Sequence, residues 1–233
     1  MQIGYEVVEQ VCTTTLYESV RKNKPDVILN LASCFEKQDA DLLPAVLQLT
    51  GAPYTGSGIT GLSLGRNYLR LFQLLYVSGI PLPNFIVIES GSAAGQTEIP
   101  YPLTLYGENQ SRGSLVRNPD ELKRQVDGLP THEEVLLVEY SEDRSTGIYI
   151  LDNQILACPT DPQICEAALK VYELIEARGM ARFDFVLSGQ ARLVGMDPAP
   201  FPLDDELLRQ LNGSGWDEKK LLKSLVEHAR RDL

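Results

Sequence analysis

The sequence is poor in the residues that metal sites, disulfides and basic surfaces require. Its 233 residues include two histidines and four cysteines, and no two cysteines have the Cys-x-x-Cys spacing. This predicts reduced thiols in a cytoplasmic protein and argues against a zinc site. Lys and Arg number 21 against 32 Asp and Glu, for a formal net charge of −11. Nucleic acids and anionic membranes attract basic surfaces, so neither is an expected partner.

Long hydrophobic runs, secretory signals and internal repeats are also missing. No apolar stretch reaches the length that a bilayer-spanning helix needs. What remains is the composition of an ordinary globular protein, with 43% hydrophobic and 23% charged residues. A chain of this length predicts one compact unit of two or three subdomains with a sizeable core.

The first 50 residues alternate between strand and helix patterns. Residues 5–11 alternate as a strand does, and residues 26–31 form a nearly continuous apolar run. A helix capped by Thr13, Thr14 or Thr15 is predicted between them, and a second helix is predicted to end at Gly51. This order predicts an α/β layer built on a parallel sheet.

Residues 51–83 join a glycine-rich loop to a long apolar segment. The loop reads Gly-Ala-Pro-Tyr-Thr-Gly-Ser-Gly, and an apolar helical pattern begins at Ile59. Gly79 is predicted to end this helix, and Pro81 prevents its resumption. We therefore expect one continuous buried helix over this span.

This stretch resembles the D-alanine–D-alanine ligase branch of the ATP-grasp superfamily, in which a Pro-Tyr-Thr-Gly-Ser loop opens such a helix. The similarity extends from Tyr5 to the last predicted helix. It implies an α/β fold with α+β subdomains, in which a truncated, Rossmann-like pre-ATP-grasp layer precedes an ATP-grasp fold. We place this layer at residues 1–67, the small central subdomain at 68–138 and the C-terminal subdomain at 139–233.

The sequence departs from the ligases at their positively charged positions. In the ligases two lysines reach the nucleotide phosphates, and the matching positions here are Tyr68 and Tyr106. Both aromatic rings are expected to fill volume that a flexible lysine leaves to ligand. Arg112 is the one cation of the shortened loop 107–113 and is a candidate for binding the nucleotide.

The segment that resembles the adenine-binding hinge has also lost its charged residues. A gapless match puts Val138 and Ser145 at the positions of two glutamates that hold the nucleotide. Glu139 lies one residue out of register and would point to the opposite face unless a local bulge restores it. Glu139 and Tyr140 are nevertheless the candidate cofactor-binding residues of this segment.

The last two predicted strands retain part of the ligase metal site. Arg182 and Asp184 match the ligase pattern Gly-Arg-x-Asp, whereas Gly195 replaces the magnesium-bridging glutamate and Asp197 replaces an asparagine. Asp184 and Asp197 are therefore the candidate metal ligands, and Arg182 is the catalytic candidate if the protein is active. The alternative is that Arg182 and Asp184 are kept for folding, in an ion pair or in hydrogen bonds.

These losses bear directly on chemistry. An ATP-grasp ligase forms an acyl phosphate that an amine displaces, and lysines and magnesium stabilise the developing charge. The chain also has no room for the ligases' lid loop. We therefore expect a pseudoenzyme with a binding, assembly or regulatory role, without a cofactor, that self-associates or binds a protein partner. Two alternatives remain: a divergent carboxylate–amine ligase that uses ATP and Mg, and one subunit of a heteromeric ligase.

Overall fold

The computed structural model describes residues 4–34, 42–91, 97–107, 113–157, 161–212 and 214–231. The chain divides into two compact units, each assembled from separate stretches of sequence. The first unit comprises Met1–Leu62, Ile148–Arg182 and Asp197–Leu233, and the second comprises Ser63–Gly147 and Phe183–Met196. The three subdomain boundaries expected from the sequence stay a prediction.

Helices and strands follow one another along the chain in a mixed order. The helices are α1 (Leu16–Asn23), α2 (Leu43–Thr50), α3 (Ile59–Arg66), α4 (Tyr68–Val77), α5 (Pro119–Asp127), α6 (Pro162–Leu174), α7 (Asp205–Leu211) and α8 (Glu218–Ala229). The strands are β1 (Phe85–Glu89), β2 (Leu103–Tyr106), β3 (Ser114–Val116), β4 (Glu134–Glu139), β5 (Thr146–Leu151), β6 (Gln154–Ile155), β7 (Met180–Ser188) and β8 (Gln190–Asp197). This confirms the expected mixture of helices and sheets.

The first sheet lies in the second unit and has the strand order β1-β4-β2-β3. Its neighbouring strands are antiparallel, with Phe85 opposite Val138 and Leu103 opposite Glu139. One side of the sheet packs against α5 through Leu122 and Val126, which are almost fully buried. Burial of this apolar face holds the strands in one register, because a slip by one residue would expose the apolar side chains to water.

The second sheet has the strand order β6-β5-β7-β8. Strands β5 and β6 form a hairpin, with a turn in which Asp152 and Asn153 have φ angles of 45° and 65°. Positive φ at both turn positions matches the right-handed twist of a hairpin. In the first unit, β5 packs with α7 and α8 in a cluster that includes Tyr149, Leu207 and Leu221.

The amino-terminal parallel sheet predicted from the sequence is wrong for the described residues. Residues 5–12 have no regular secondary structure, and Val7 and Val8 are 79% and 71% exposed. The second predicted strand is reduced to one parallel bridge between Ile28 and Tyr54. An alternating pattern becomes a strand only where a neighbouring strand supplies hydrogen-bond partners, and the described part of the chain supplies none to residues 5–12.

The long helix predicted after residue 58 is also wrong as a single element, because it breaks at Asn67. Helix α3 ends at Arg66, and Asn67 has φ −101° and ψ 89°, outside the helical range. The Asn67 side chain accepts a hydrogen bond from the Arg70 N–H at 3.0 Å and so caps α4. An asparagine side chain can accept this capping hydrogen bond only if the helix is interrupted at its position, and this local bond favours the break.

Several other helix starts are also capped by side chains. The side chains of Asn118, Asp161, Asp204 and Asp217 accept backbone hydrogen bonds at the starts of α5, α6, α7 and α8. At α1 the cap residue is Thr15, whose side chain makes no capping hydrogen bond. Among the described residues, no helix is both long enough and apolar enough to cross a membrane.

Candidate functional site

Tyr68 and Tyr106, which the resemblance places at two lysine positions of the ligases, form a stacked pair. Tyr68 is the first residue of α4 and Tyr106 the last of β2, and both belong to the second unit. Their ring centroids are 4.7 Å apart with an interplanar angle of 16°, and the residues are 5% and 9% exposed. Two buried, stacked rings therefore lie where the resemblance implies two flexible cations in the ligases.

The hydroxyl of Tyr68 is fixed by the backbone of β8. It accepts a hydrogen bond from the Met196 N–H at 2.8 Å and donates one to the Met196 carbonyl at 3.2 Å. Both bonds are buried, so the ring has a fixed position instead of the mobility of a lysine chain. Tyr68 thereby links the start of α4 to β8 within the second unit.

The predicted metal ligand Asp184 lies beside this tyrosine. A Cβ atom placed on Gly195 would lie 3.5 Å from the Asp184 Oδ2 and 3.5 Å from the Tyr68 hydroxyl oxygen. Any side chain at position 195 would thus start in contact with both groups. The resemblance places Gly195 at the magnesium-bridging glutamate of the ligases, and the phenol of Tyr68 and the carboxylate of Asp184 border its Cβ position.

The other tyrosine is covered by the strand that follows the shortened loop. A Cβ atom on Gly113 would lie 2.2 Å from the Thr104 Cγ2 and 2.8 Å from the Tyr106 Cζ. The Gly113 backbone therefore packs directly onto both side chains. Burial raises the pKa of Tyr106 to about 12, so the phenol is neutral at pH 7. Arg112, the candidate phosphate contact, lies outside the described residues.

The candidate hinge residue Glu139 is held by neighbouring protein groups. Its Oε2 accepts hydrogen bonds from the Asn84 N–H at 3.2 Å, the Asn84 Nδ2 at 2.9 Å and the Arg192 Nη1 at 3.2 Å. Strand β4 pairs residue by residue through Val138 and Glu139, so no bulge corrects the register. Tyr140 is 42% exposed, and its backbone N–H donates a hydrogen bond to the Pro102 carbonyl.

The catalytic candidate Arg182 is engaged by an acidic helix start in the first unit. Its Nη1 lies 2.9 Å from the Glu206 Oε2 and 3.1 Å from the Tyr149 hydroxyl. The guanidinium carbon lies 5.5 Å from the centre of the Tyr149 ring. Arg182 is therefore bound on the protein side by an ion pair, a hydrogen bond and an aromatic face.

Tyr149 and Asp204, which belong to the same hydrogen-bonded cluster as Arg182, both have shifted pKa values. Burial raises the pKa of Tyr149 above its usual value. For Asp204, burial favours the protonated form, but hydrogen bonds from the Leu207 and Glu206 N–H groups and the Tyr149 hydroxyl, with the charge of Arg182, hold the pKa below normal. A neutral phenol therefore donates to an ionised carboxylate at 3.2 Å.

The two candidate metal ligands belong to different units. Asp184 lies in the second unit and Asp197 in the first, where its Oδ1 accepts a hydrogen bond from the Ala199 N–H at 2.9 Å. Across the part of the chain that the structure describes, no three or more His, Cys, Asp or Glu residues form a group that could hold a metal ion. The pairing of these two carboxylates around one cation stays a prediction.

Three residues that make these contacts were missed in the sequence. Arg192 and Asn84 hold Glu139, and Glu206 holds Arg182. No motif marks them, because each acts across the fold on a residue distant in sequence. The one available signal is at Glu206, since acidic residues are favoured in the first turn of a helix.

The chain is similar in sequence to known proteins, D-alanine–D-alanine ligases among them. An uncharacterised protein of Sinorhizobium fredii is 29% identical over 48% of this chain and 34% of its own length. A D-alanine–D-alanine ligase of Syntrophotalea carbinolica is 24% identical over 79% of this chain and 72% of its own length. No protein-family model matches the chain.

The solved structures agree on the fold. A crystal structure of D-alanine–D-alanine ligase from Bacillus anthracis complexed with ATP matches with a TM-score of 0.77 and 17% identity. The match covers 94% of this chain and 84% of that one. The resemblance noted in the sequence is therefore confirmed: the chain is similar in sequence to D-alanine–D-alanine ligases and shares their fold.

Proposed function

We propose that this protein is a non-catalytic relative of the ATP-grasp ligases that acts by binding other molecules. The observation that supports this most is the Tyr68–Tyr106 stack, with the Tyr68 hydroxyl bonded to the Met196 backbone. A nucleotide triphosphate requires cations at these positions, and neutral buried phenols supply none.

Two of the charged candidates support the same proposal. Glu139 accepts three hydrogen bonds from Asn84 and Arg192, and Arg182 is paired with Glu206. A group with internal partners of this kind must break them before it can serve a ligand. Release of Arg182 would also leave the Glu206 carboxylate without its cation.

The test is turnover with the substrates that the relatives' name implies. We expect no phosphate release from ATP, Mg²⁺ and D-alanine above the rate without protein, while a D-alanine–D-alanine ligase assayed in parallel is active. The double variant Tyr68→Lys/Tyr106→Lys is also expected to be inactive, because the other charged groups stay engaged. ATP- and D-alanine-dependent phosphate release by the unchanged protein would establish the alternative, a divergent carboxylate–amine ligase.

Self-association is the form of binding that we propose for the first unit. The segment 5–12 exposes Val7, Val8 and Val11, and exposed β-branched residues without strand partners favour pairing between copies. Light scattering across the micromolar range is expected to show a mass that rises with concentration. Val7→Asp should abolish this rise, whereas Val77→Asp, at an equally exposed position of the second unit, should not. A constant monomer mass would refute the proposal.

A further inference from the structure

An open groove lies between α7 and the start of α8 in the first unit. Its volume is about 610 Å³, which is within the range of sites that hold small ligands or short peptide segments. The apolar lining is Leu208, Leu211 and Trp216. The polar lining is Asp205, Arg209, Asn212, Asp217 and Glu218.

The charges around the groove favour a cationic occupant. Three carboxylates face one guanidinium, and Arg209 already donates through its Nε to the Asp205 carbonyl at 3.1 Å. Asp217 caps α8 by accepting from the Lys220 N–H at 2.7 Å, and Glu218 follows in the first turn. An apolar groove bordered by this excess of negative charge complements a segment that carries both basic and apolar side chains.

Trp216, one of the residues that line the groove, already carries an ammonium group of its own chain on its indole ring. The Lys220 Nζ lies 4.4 Å from the centre of the Trp216 ring and donates to the Gly215 carbonyl at 2.9 Å. This contact defines a seat for a primary ammonium, formed by an indole face and a backbone oxygen. Lys220 is exposed, so its side chain is free to leave for solvent when a competing ammonium arrives.

We propose that the α7–α8 groove binds a lysine-bearing, partly apolar peptide segment of a protein partner, whose ammonium replaces that of Lys220 on Trp216. A second copy of this chain is the less complementary occupant, because the formal net charge of each copy is −11. This inference names the partner class for the proposed binding role and rests on that role.

Trp216 is the only tryptophan of the chain, so its fluorescence reports on the groove without labelling. The probe is the peptide acetyl-Leu-Lys-Leu-Leu-Lys-Leu-amide, and the control peptide carries Glu in place of both Lys. We expect a saturable change in fluorescence with the lysine peptide that weakens as salt is raised, and none with the glutamate peptide. No saturable change up to millimolar lysine peptide, or equal binding of both peptides, would overturn the proposal.

Two matched pairs of variants locate the binding. Lys220→Gln is expected to strengthen binding about two- to fivefold, because the competing ammonium is gone. Lys219→Gln makes the same charge change beside it and should have a smaller effect. Glu218→Gln should weaken binding about two- to fivefold, whereas Glu166→Gln on α6 should leave it unchanged. Equal effects within each pair would show non-specific attraction and contradict the assignment.

The peptide titration contains no nucleotide, so its outcome is separate from the turnover test. If the protein binds the peptide and also turns over ATP, the groove assignment is supported and the non-catalytic role is refuted. If the protein neither turns over ATP nor binds the peptide, the groove assignment is refuted and the non-catalytic role is not. Light scattering during the titration identifies a second copy as occupant if the mass doubles without peptide and the lysine peptide reverses the doubling.

Discussion

At Tyr68 one hydroxyl group takes part in two buried backbone hydrogen bonds of Met196. Tyr68→Phe keeps the stacked ring but leaves both backbone groups without this partner. We expect a loss of about 2 kcal/mol in the free energy of unfolding, measured by urea denaturation. Tyr76→Phe removes a hydroxyl at a residue that is 68% exposed and should cost less than about 0.5 kcal/mol. Equal stability of the two variants would contradict the bridging role of Tyr68.

Asp204 gives a second prediction at a single residue, and its sign follows from the lowered pKa. A carboxyl whose pKa is lower in the folded state stabilises the fold above its unfolded pKa, and this contribution is lost as pH falls through the folded pKa. Asp204→Asn keeps a side chain that can cap α7 but removes the charge.

We expect Asp204→Asn to be less stable than the unchanged protein at pH 7 by up to about 1 kcal/mol, because the partly solvated carboxylate is screened. The difference should shrink as the pH falls below about 4, where the carboxyl begins to be protonated. Urea midpoints at pH 7, 5 and 3 measure it. A difference that is independent of pH would show that the charge of Asp204 does not contribute.

At the scale of elements, Gly113 tests how closely β3 packs on β2. A methyl group there would lie 2.2 Å from the Thr104 Cγ2, so Gly113→Ala should cost about 1–3 kcal/mol in the free energy of unfolding. Gly128→Ala at the end of α5 is the matched variant, since its nearest atom would be 3.4 Å away. We expect that variant to be within about 0.5 kcal/mol of the unchanged protein. Tolerance of Gly113→Ala would contradict the close packing onto Tyr106.

The elements also show which structures a sequence predicts well. Helices α5 and α6 begin at local signals that a sequence displays, since Asn118 and Asp161 cap them and a proline follows each. Residues 5–11 carry an equally clear strand pattern, but a strand depends on a partner that local sequence does not specify. The break at Asn67 was missed because an apolar pattern continues on both sides of it.

The contacts of the candidate site were only partly predictable from the sequence. The resemblance to the ligases singled out Tyr68 and Tyr106, and the structure stacks their rings. The pairing of Arg182 with Glu206 joins residues 24 positions apart, and that of Glu139 with Arg192 joins residues 53 apart. Contacts over such separations follow from the fold and are not encoded in local spacing.

At the scale of the whole molecule, net charge and site chemistry both oppose nucleotide binding. The chain carries a formal charge of −11, and Mg-ATP carries about two negative charges. Attraction would have to come from local cations within about 8 Å, the screening length at physiological salt. The side chains of Tyr68 and Tyr106 carry no positive charge, and Arg182 is paired with Glu206.

The most direct test of this account is to measure thermal unfolding of the full chain with and without millimolar Mg-ATP. A ligand at a hundred times its dissociation constant would add about 2.7 kcal/mol to folding stability and raise the unfolding temperature by several degrees. We expect no resolvable shift, either in the unchanged protein or in Asp184→Asn. A shift of several degrees that Asp184→Asn abolishes would contradict the account and show that the protein binds the magnesium–nucleotide complex, as the ligase alternative requires.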